Sequence, residues 1–218
     1  TIEPILAMGI DIIFESGLGE GMDVNDEVFK SLGAKSVSRE ACLSKSDVLM
    51  STSPIASNEI SLMKDKALFL GLMEPFSNKE QFSAFQLNNI SAVSMEFIPR
   101  ITRAQKMDVL SSQSNLAGYV AVIESAKELK SALPMMMTAA GTLKPATVFV
   151  IGVGVAGLQA IATAKRLGAK VEAFDTRPVV EEQVKSLGAK FVKIELGDTG
   201  QTEQGYANEL TKEQIQLQ

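Results

Sequence analysis

The chain has 218 residues, of which 45% are hydrophobic, and its formal net charge at pH 7 is -5. A sequence of this length and composition is typical of one large or two modest globular domains. Its acidic balance, without a tract rich in Lys and Arg, excludes a nucleic-acid-binding surface. The single cysteine, Cys42, excludes an internal disulfide framework. No apolar run approaches the ~20 residues that span a bilayer, so no membrane span is predicted in this chain.

Histidine is absent from the sequence. Any chemistry must therefore proceed without the commonest general acid–base group and the commonest nitrogen ligand for metals. With one cysteine and no histidine, the chain lacks the ligands of an ordinary zinc site, and no metal site is predicted. Serine or cysteine nucleophiles that depend on a histidine base are also excluded within this chain.

The N-terminal half of the sequence predicts strands that alternate with helices. The predicted strands cover 10–15, 47–51, 67–71 and 91–96, and the predicted helices cover 25–32 and 79–87. Such alternation is typical of a mostly parallel sheet. We therefore expect an N-terminal α/β domain.

A long helix and a methionine-rich segment follow this domain. Apolar residues at helical spacing predict a helix over 114–131. Met135, Met136 and Met137 lie between a proline and a glycine-containing loop, which favours buried packing by adaptable side chains. A hinge or a segment that faces a cofactor is the alternative interpretation.

Six residues then form a G-x-G-x-x-G pattern, namely Gly152, Val153, Gly154, Val155, Ala156 and Gly157. They lie between a β-branched strand at 146–151 and a helix at 158–167, which is the arrangement of a dinucleotide-binding loop. Gly152 would permit the tight turn, Gly154 would let a pyrophosphate approach, and Gly157 would let the helix pack on the strand. The first helical turn would offer N–H groups to the phosphates.

Asp175 ends a second predicted strand, about twenty residues after the glycine loop. An acid at this position accepts hydrogen bonds from the hydroxyls of the adenosine ribose and would repel a 2′-phosphate, which favours NAD(H) over NADP(H). Arg177, two residues further on, keeps NADP(H) open. The alternative is a glycine-rich turn in an ordinary α/β domain, with Asp175 as a solvated strand end.

A predicted helix at 181–187 and a predicted strand at 190–194 complete a β-α-β-α-β unit, the first half of a doubly wound sheet. We expect a fragment of a longer polypeptide, because the second half is absent. The predicted fold class is α/β, with two Rossmann-like or flavodoxin-like parallel-sheet domains, the second an incomplete doubly wound NAD-binding domain. The predicted divisions are 1–112 (N-terminal domain, truncated at its start), 113–144 (linking helix and loop) and 145–218 (NAD-binding domain).

Three stretches together resemble the NAD(H)-binding component, often called domain I, of proton-translocating nicotinamide nucleotide transhydrogenase. They are RITRAQKMDVLSSQSNLAGY at 100–119, MMMTAAGT at 135–142 and GVGVAGLQA at 152–160. The first stretch is the most specific, because a dinucleotide-binding loop alone occurs in many families. The resemblance covers essentially the whole chain, including the turn of Asp175, Thr176 and Arg177.

The resemblance implies roles for the residues of the first stretch. In that family an Arg, a Gln and an Asp line the nicotinamide end of the cleft, and these resemble Arg100, Gln105 and Asp108, with Ser111 following. The Arg and Gln donors would hold a pyrophosphate or carboxamide, and Asp108 would fix the arginine. Tyr206 resembles part of a mobile loop that closes over bound nucleotide. Taken from the residues alone, these are solvated loop residues and a frayed polar tail.

The resemblance also implies an activity of the re/si-specific type. Hydride would pass from NADH bound here to NADP⁺ on a separate component, and a membrane component would couple the transfer to proton movement. Such transfer needs positioning rather than a side-chain acid, which suits a histidine-free chain. A homodimer is expected, on the cytoplasmic face of the bacterial inner membrane, with the mitochondrial matrix face of the inner membrane as the alternative.

Two other functions remain open from the sequence. An alanine dehydrogenase-like enzyme shares this two-domain layout, but its relatives use a histidine and a lysine on the amino or keto acid, and histidine is missing here. The other alternative is a module that binds NAD(H) and catalyses nothing.

Overall fold

The computed structural model describes residues 2–99, 101–197, 199–202 and 207–217. The chain divides into two compact units, Thr1–Pro99 and Arg100–Gln218. Each unit has its own cluster of buried apolar side chains. The predicted boundaries at 112 and 144 stay predictions.

The first unit alternates short strands and helices along the chain. Its strands are β1 (Ile13–Glu15), β2 (Lys35–Val37), β3 (Val48–Ser51), β4 (Leu68–Gly71) and β5 (Ser91–Ser94). Its helices are α1 (Ile2–Ala7), α2 (Asp26–Ser31), α3 (Arg39–Lys45), α4 (Ser57–Ile60) and α5 (Lys79–Leu87), with 3₁₀ turns at Glu20–Met22 and Met95–Phe97. β1 pairs in parallel with β2, and β3, β4 and β5 form a parallel sheet with β4 at its centre. The predicted parallel α/β arrangement is therefore confirmed.

The core of the first unit is centred on β4 and α5. The rings of Phe69 in β4 and Phe85 in α5 are buried, with centroids 5.2 Å apart. Ile60 and Met73 are buried in the same cluster. Burying each of these side chains stabilises the fold by roughly 2 kcal/mol, so this cluster holds the central strand and its helix together.

One predicted strand of this unit ends early. The strand predicted over 91–96 stops at Ser94, where a 3₁₀ turn begins. The Glu96 carboxylate in this turn accepts hydrogen bonds from Met73 N at 2.8 Å, Glu74 N at 2.7 Å and Ser94 Oγ at 2.6 Å. The carboxylate thus takes over the role of strand pairing and ties the end of β5 to the loop after β4.

The second unit contains the predicted β-α-β-α-β half-sheet. Its helices are α6 (Val109–Glu128), α7 (Val155–Arg166), α8 (Glu181–Ser186) and α9 (Lys212–Leu217), with 3₁₀ turns at Thr102–Met107 and Pro178–Val180. Its strands are β6 (Met136–Thr138), β7 (Gly141–Leu143), β8 (Thr147–Ile151), β9 (Lys170–Phe174) and β10 (Lys190–Phe191). β8, β9 and β10 pair in parallel in the order β10-β9-β8, as in one half of a doubly wound sheet.

Helices α6 and α7 pack against each other without large side chains at the point of closest approach. A Cβ on Gly118 of α6 would overlap the carbonyl oxygen of Ala156 in α7, so only glycine fits there. Gly118 and Val122 form the buried stripe of α6, whereas Leu116 and Tyr119 on the opposite side are exposed. The helix was predicted from its large apolar residues, but the small ones make the contact.

The prediction of buried packing for the three methionines is wrong. Met135, Met136 and Met137 are 58%, 48% and 73% exposed. Met136 and Met137 belong to β6, which forms an antiparallel hairpin with β7. Within the residues that the structure describes, this hairpin has two strands and no covering layer, so its side chains face outward.

The close contact at Gly118 predicts a substitution effect opposite to helix propensity. In an open helix position Gly→Ala would stabilise the protein, because alanine has the higher helix propensity. For Gly118→Ala we instead expect the free energy of unfolding to fall by about 1–3 kcal/mol, because the methyl group must displace the backbone of α7. Urea unfolding of the second unit measures this loss.

The matched control for this prediction is Gly21→Ala. Among the described residues, no atom beyond its chain neighbours lies within 4 Å of a Cβ built on Gly21. We expect its unfolding free energy to stay within about 0.5 kcal/mol of wild type. A Gly118→Ala protein as stable as wild type would contradict the close packing of α6 on α7.

Candidate functional site

The glycine loop joins β8 to α7 and spans Gly152, Val153 and Gly154. Gly152 has φ of +89°, in the left-handed region that favours glycine. Its N–H donates to the carbonyl oxygen of Phe174, at the end of β9, at 2.8 Å. The loop therefore begins with a tight turn that is fixed to the neighbouring strand.

The other two glycines have different environments. A Cβ on Gly157 would overlap the carbonyl oxygen of Gly152, so the helix approaches the turn as closely as backbone atoms allow. Gly154, the N-cap of α7, is open: among the described residues, no atom beyond its neighbours lies within 4 Å of a Cβ built there. An open backbone beside a tight turn fits a group as bulky as a pyrophosphate.

The N-terminus of α7 points its free donors toward this opening. The N–H groups of Val155, Ala156 and Gly157 fall in the first turn, where a helix provides no carbonyl partner. The N–H of Leu158 is the first to bond back, to Gly154 O at 2.9 Å. A helix of twelve residues adds a partial positive charge at this end, so the loop offers what an anion requires.

Asp175 follows β9 and is buried rather than solvated, with its side chain 6% exposed. Its Oδ2 accepts from Val153 N at 2.7 Å and its Oδ1 accepts from Arg177 N at 2.8 Å. The guanidinium of Arg177 binds both oxygens, through Nε to Oδ1 at 2.9 Å and through Nη2 to Oδ2 at 2.8 Å. Asp175 therefore ties the glycine loop to the turn that follows β9.

These contacts set the charge states of the pair. Burial raises the pKa of Asp175, but hydrogen bonds from the Arg177 side chain and from the N–H groups of Val153 and Arg177 outweigh it and hold the pKa below its ordinary value. The hydrogen bond to Asp175 raises the pKa of Arg177. Both groups are therefore charged at neutral pH.

Thr176 contributes its backbone to the same turn. Its carbonyl oxygen accepts a hydrogen bond from Thr199 Oγ1. The segment after Thr199 includes a bridge between Gln201 and Ala207. Tyr206, which was predicted to cover the nucleotide, lies outside the described residues.

The start of α6 brings together three of the residues predicted at the nicotinamide end. Asp108 is the N-cap of α6: its Oδ1 accepts from Ser111 N at 2.9 Å and its Oδ2 accepts from Ser111 Oγ at 2.7 Å. Gln105 is exposed, and its backbone oxygen accepts from Asp108 N at 3.3 Å. Arg100 lies outside the described residues. An Asp three residues before a Ser is a capping signal that the sequence interpretation missed.

The pKa shift of Asp175 predicts an acid-dependent stability difference. Its pKa is lower in the folded chain than its ordinary value of 3.8, so the carboxylate stabilises the fold above that pH and loses this effect as pH falls through the folded pKa. At pH 7, Asp175→Asn should lower the unfolding free energy by about 3 kcal/mol, because Arg177 loses its buried counter-charge. Urea unfolding between pH 7 and pH 3 should show the difference from wild type shrinking below pH 4.

Asp47→Asn provides the control. Asp47 pairs with Lys64, but its side chain is 81% exposed, and exposed pairs contribute little to stability. We expect a small change at every pH. A loss in Asp175→Asn that is equal at pH 7 and pH 3 would contradict the role of the ionised carboxylate.

Comparison with known proteins agrees with this geometry. Residues 1–117 match the family "Alanine dehydrogenase/PNT, N-terminal domain", and residues 121–217 match "Alanine dehydrogenase/PNT, C-terminal domain". The chain is 46% identical over 221 residues to the first of the NAD(P) transhydrogenase alpha subunits of Rhodospirillum rubrum, in a match that covers 98% of this chain and 58% of that protein. Both halves of the sequence are therefore accounted for by one family.

Solved structures give the same result. The crystal structure of transhydrogenase from Sinorhizobium meliloti matches with a TM-score of 0.86 and 48% identity, over 89% of this chain and 56% of that one. An L-alanine dehydrogenase matches with a TM-score of 0.76 and 20% identity, over 87% and 54%, which shows a shared fold. The chain spans a little over half the length of these relatives. It belongs to the alanine dehydrogenase/PNT family and, within that family, is related to NAD(P) transhydrogenase subunit alpha.

Proposed function

We propose that this chain is the NAD(H)-binding component of a proton-translocating NAD(P) transhydrogenase of the re/si-specific type. The observation that carries the proposal is the open glycine loop tied to the buried Asp175 carboxylate. The relative from Rhodospirillum rubrum bears the name of an NAD(P) transhydrogenase subunit. Hydride would pass from NADH on this chain to NADP⁺ on a partner component.

The residues of the second unit fit the successive groups of a dinucleotide. The first-turn N–H groups of α7 and the open face of Gly154 would bind the pyrophosphate. Asp175, Thr176 and Arg177 would lie at the adenosine ribose, where a carboxylate favours NAD(H) over a 2′-phosphorylated nucleotide. The nicotinamide, when bound, supplies the hydride at C4. The chain's own residues would orient it, which requires no acid or base.

The nicotinamide end is proposed from the first stretch of the resemblance. Arg100 and Gln105 would donate to the pyrophosphate or carboxamide. The capping of α6 by Asp108 through Ser111 supports this proposal, because it fixes the backbone beside Gln105. Tyr206 would cover the bound nucleotide.

We propose further that the chain forms a homodimer and works with an NADP(H)-binding component and a membrane component. The exposed methionines of the β6–β7 hairpin support self-association, because soluble proteins seldom leave such a cluster uncovered. The proposed location is the cytoplasmic face of the bacterial inner membrane, with the mitochondrial matrix face as the alternative. Among the helices that the structure describes, none has the length and apolar character needed to cross a bilayer.

Nucleotide titration followed by a transfer assay tests the proposed activity. NADH fluorescence should show tighter binding of NADH than of NADPH, and Asp175→Ala should weaken NADH binding at least tenfold, because hydrogen bonds to a charged group are lost. Arg100→Ala should lower the rate of hydride transfer to an NADP⁺ analogue, measured with a transhydrogenase NADP(H)-binding component present. Arg166→Ala, an exposed change at the far end of α7, is the control.

Each other outcome of this experiment identifies a different function. Transfer that requires the added component supports the proposal, whereas binding without transfer would indicate a non-catalytic NAD(H)-binding module. Oxidation of NADH by pyruvate and ammonium without any partner would indicate an alanine dehydrogenase-like enzyme. A protein that binds neither nucleotide would contradict the proposal.

Analytical ultracentrifugation tests the homodimer. Met137→Lys should raise the dimer dissociation constant at least tenfold, because a charge would be buried at the proposed interface. Met8→Lys changes an equally exposed methionine of the first unit and should leave the dimer intact. A wild-type protein that sediments as a monomer at micromolar concentration would contradict self-association.

A further inference from the structure

A side chain of the protein itself occupies the position that the adenosine ribose would take. The Arg177 guanidinium binds both oxygens of Asp175, at 2.9 Å through Nε and at 2.8 Å through Nη2. The same Nη2 donates to the carbonyl oxygen of Val153 in the glycine loop at 3.2 Å. The arginine therefore bridges the acid and the loop from the side on which a nucleotide would arrive.

The carboxylate has little remaining capacity to accept hydrogen bonds. A carboxylate offers about four acceptor positions. Within the described residues of the chain, the N–H groups of Val153 and Arg177 take two of them and the guanidinium takes two. A ribose hydroxyl that donates to Asp175 must therefore replace one of these donors.

The guanidinium is the donor that can leave. The N–H of Val153 is held by the turn at Gly152, and the N–H of Arg177 by the turn after β9, where Thr199 bonds to Thr176 O. The guanidinium ends a flexible chain and is 14% exposed, so it retains a route to solvent. Its removal leaves Asp175 positioned by two backbone donors.

We propose that Arg177 is the specificity-determining residue at the adenosine end, where it holds Asp175 in an internal ion pair that must open before the ribose hydroxyls bind. This inference rests on the proposed function and deepens it. A nucleotide without a 2′-phosphate competes with the guanidinium and gains nothing from its release. A 2′-phosphate gives the released guanidinium a new partner. Arg177 therefore weakens NADH binding and narrows the preference for NADH over NADPH.

Fluorescence titrations of the complete protein with NADH and with NADPH test this inference. For Arg177→Ala we expect the NADH dissociation constant to fall about tenfold and that of NADPH to rise, so that the preference for NADH widens. The melting temperature should fall, because a buried bidentate ion pair is lost. Stability and NADH affinity thus change in opposite directions, whereas a merely structural residue would lower both.

Two further variants complete the design. Arg177→Lys keeps the charge but loses the bidentate geometry, so it should move NADH affinity in the same direction by a smaller factor. It decides the question if Arg177→Ala does not fold. Arg166→Ala removes an exposed arginine of the same unit and should leave both affinities unchanged.

The outcomes separate this inference from the proposed function. If wild type binds NADH and the Arg177 variants bind it equally or more weakly, the internal competition is overturned and the proposed function stands. If wild type binds neither nucleotide, the proposed function fails, and the inference fails with it.

Discussion

The buried carboxylate of Asp175 is the interaction on which the geometry of the second unit depends. The parallel register of β8 and β9 pairs Ile151 with Phe174, which brings the glycine loop beside the residue that follows β9. The loop is then fixed by the bond from Gly152 N to Phe174 O and by the bond from Val153 N to Asp175. A loop of flexible residues thereby becomes a rigid opening in front of α7.

Glycine–backbone contacts extend this rigidity to the long helix. Gly157 meets the carbonyl oxygen of Gly152, and Gly118 meets the carbonyl oxygen of Ala156. The glycine loop, α7 and α6 are therefore stacked through main-chain atoms, which have no rotamers to change. The capped start of α6, with Asp108 and its neighbours, is attached to the same stack.

The sequence predicted the features that depend on local spacing and missed those that depend on tertiary contacts. The strand, glycine loop, helix and Asp175 follow from spacing along the chain, and the structure contains them. Helical periodicity showed which residues of α6 share a face, but it does not say which face is packed, so Gly118 was missed. The exposure of Met137 and the pairing of Arg177 with Asp175 depend on which segments lie nearby in space.

The Asp175–Arg177 pair has a consequence for an enzyme coupled to a proton gradient. Its hydrogen bonds move the two pKa values apart, that of the acid downward and that of the base upward. The chain contains no histidine, the side chain that ordinarily changes charge near neutrality. The adenosine end therefore keeps one electrostatic state from about pH 5 to pH 9. It is a fixed anchor, indifferent to the acidification that drives proton transport, and leaves the sensing of protons to other components of the machine.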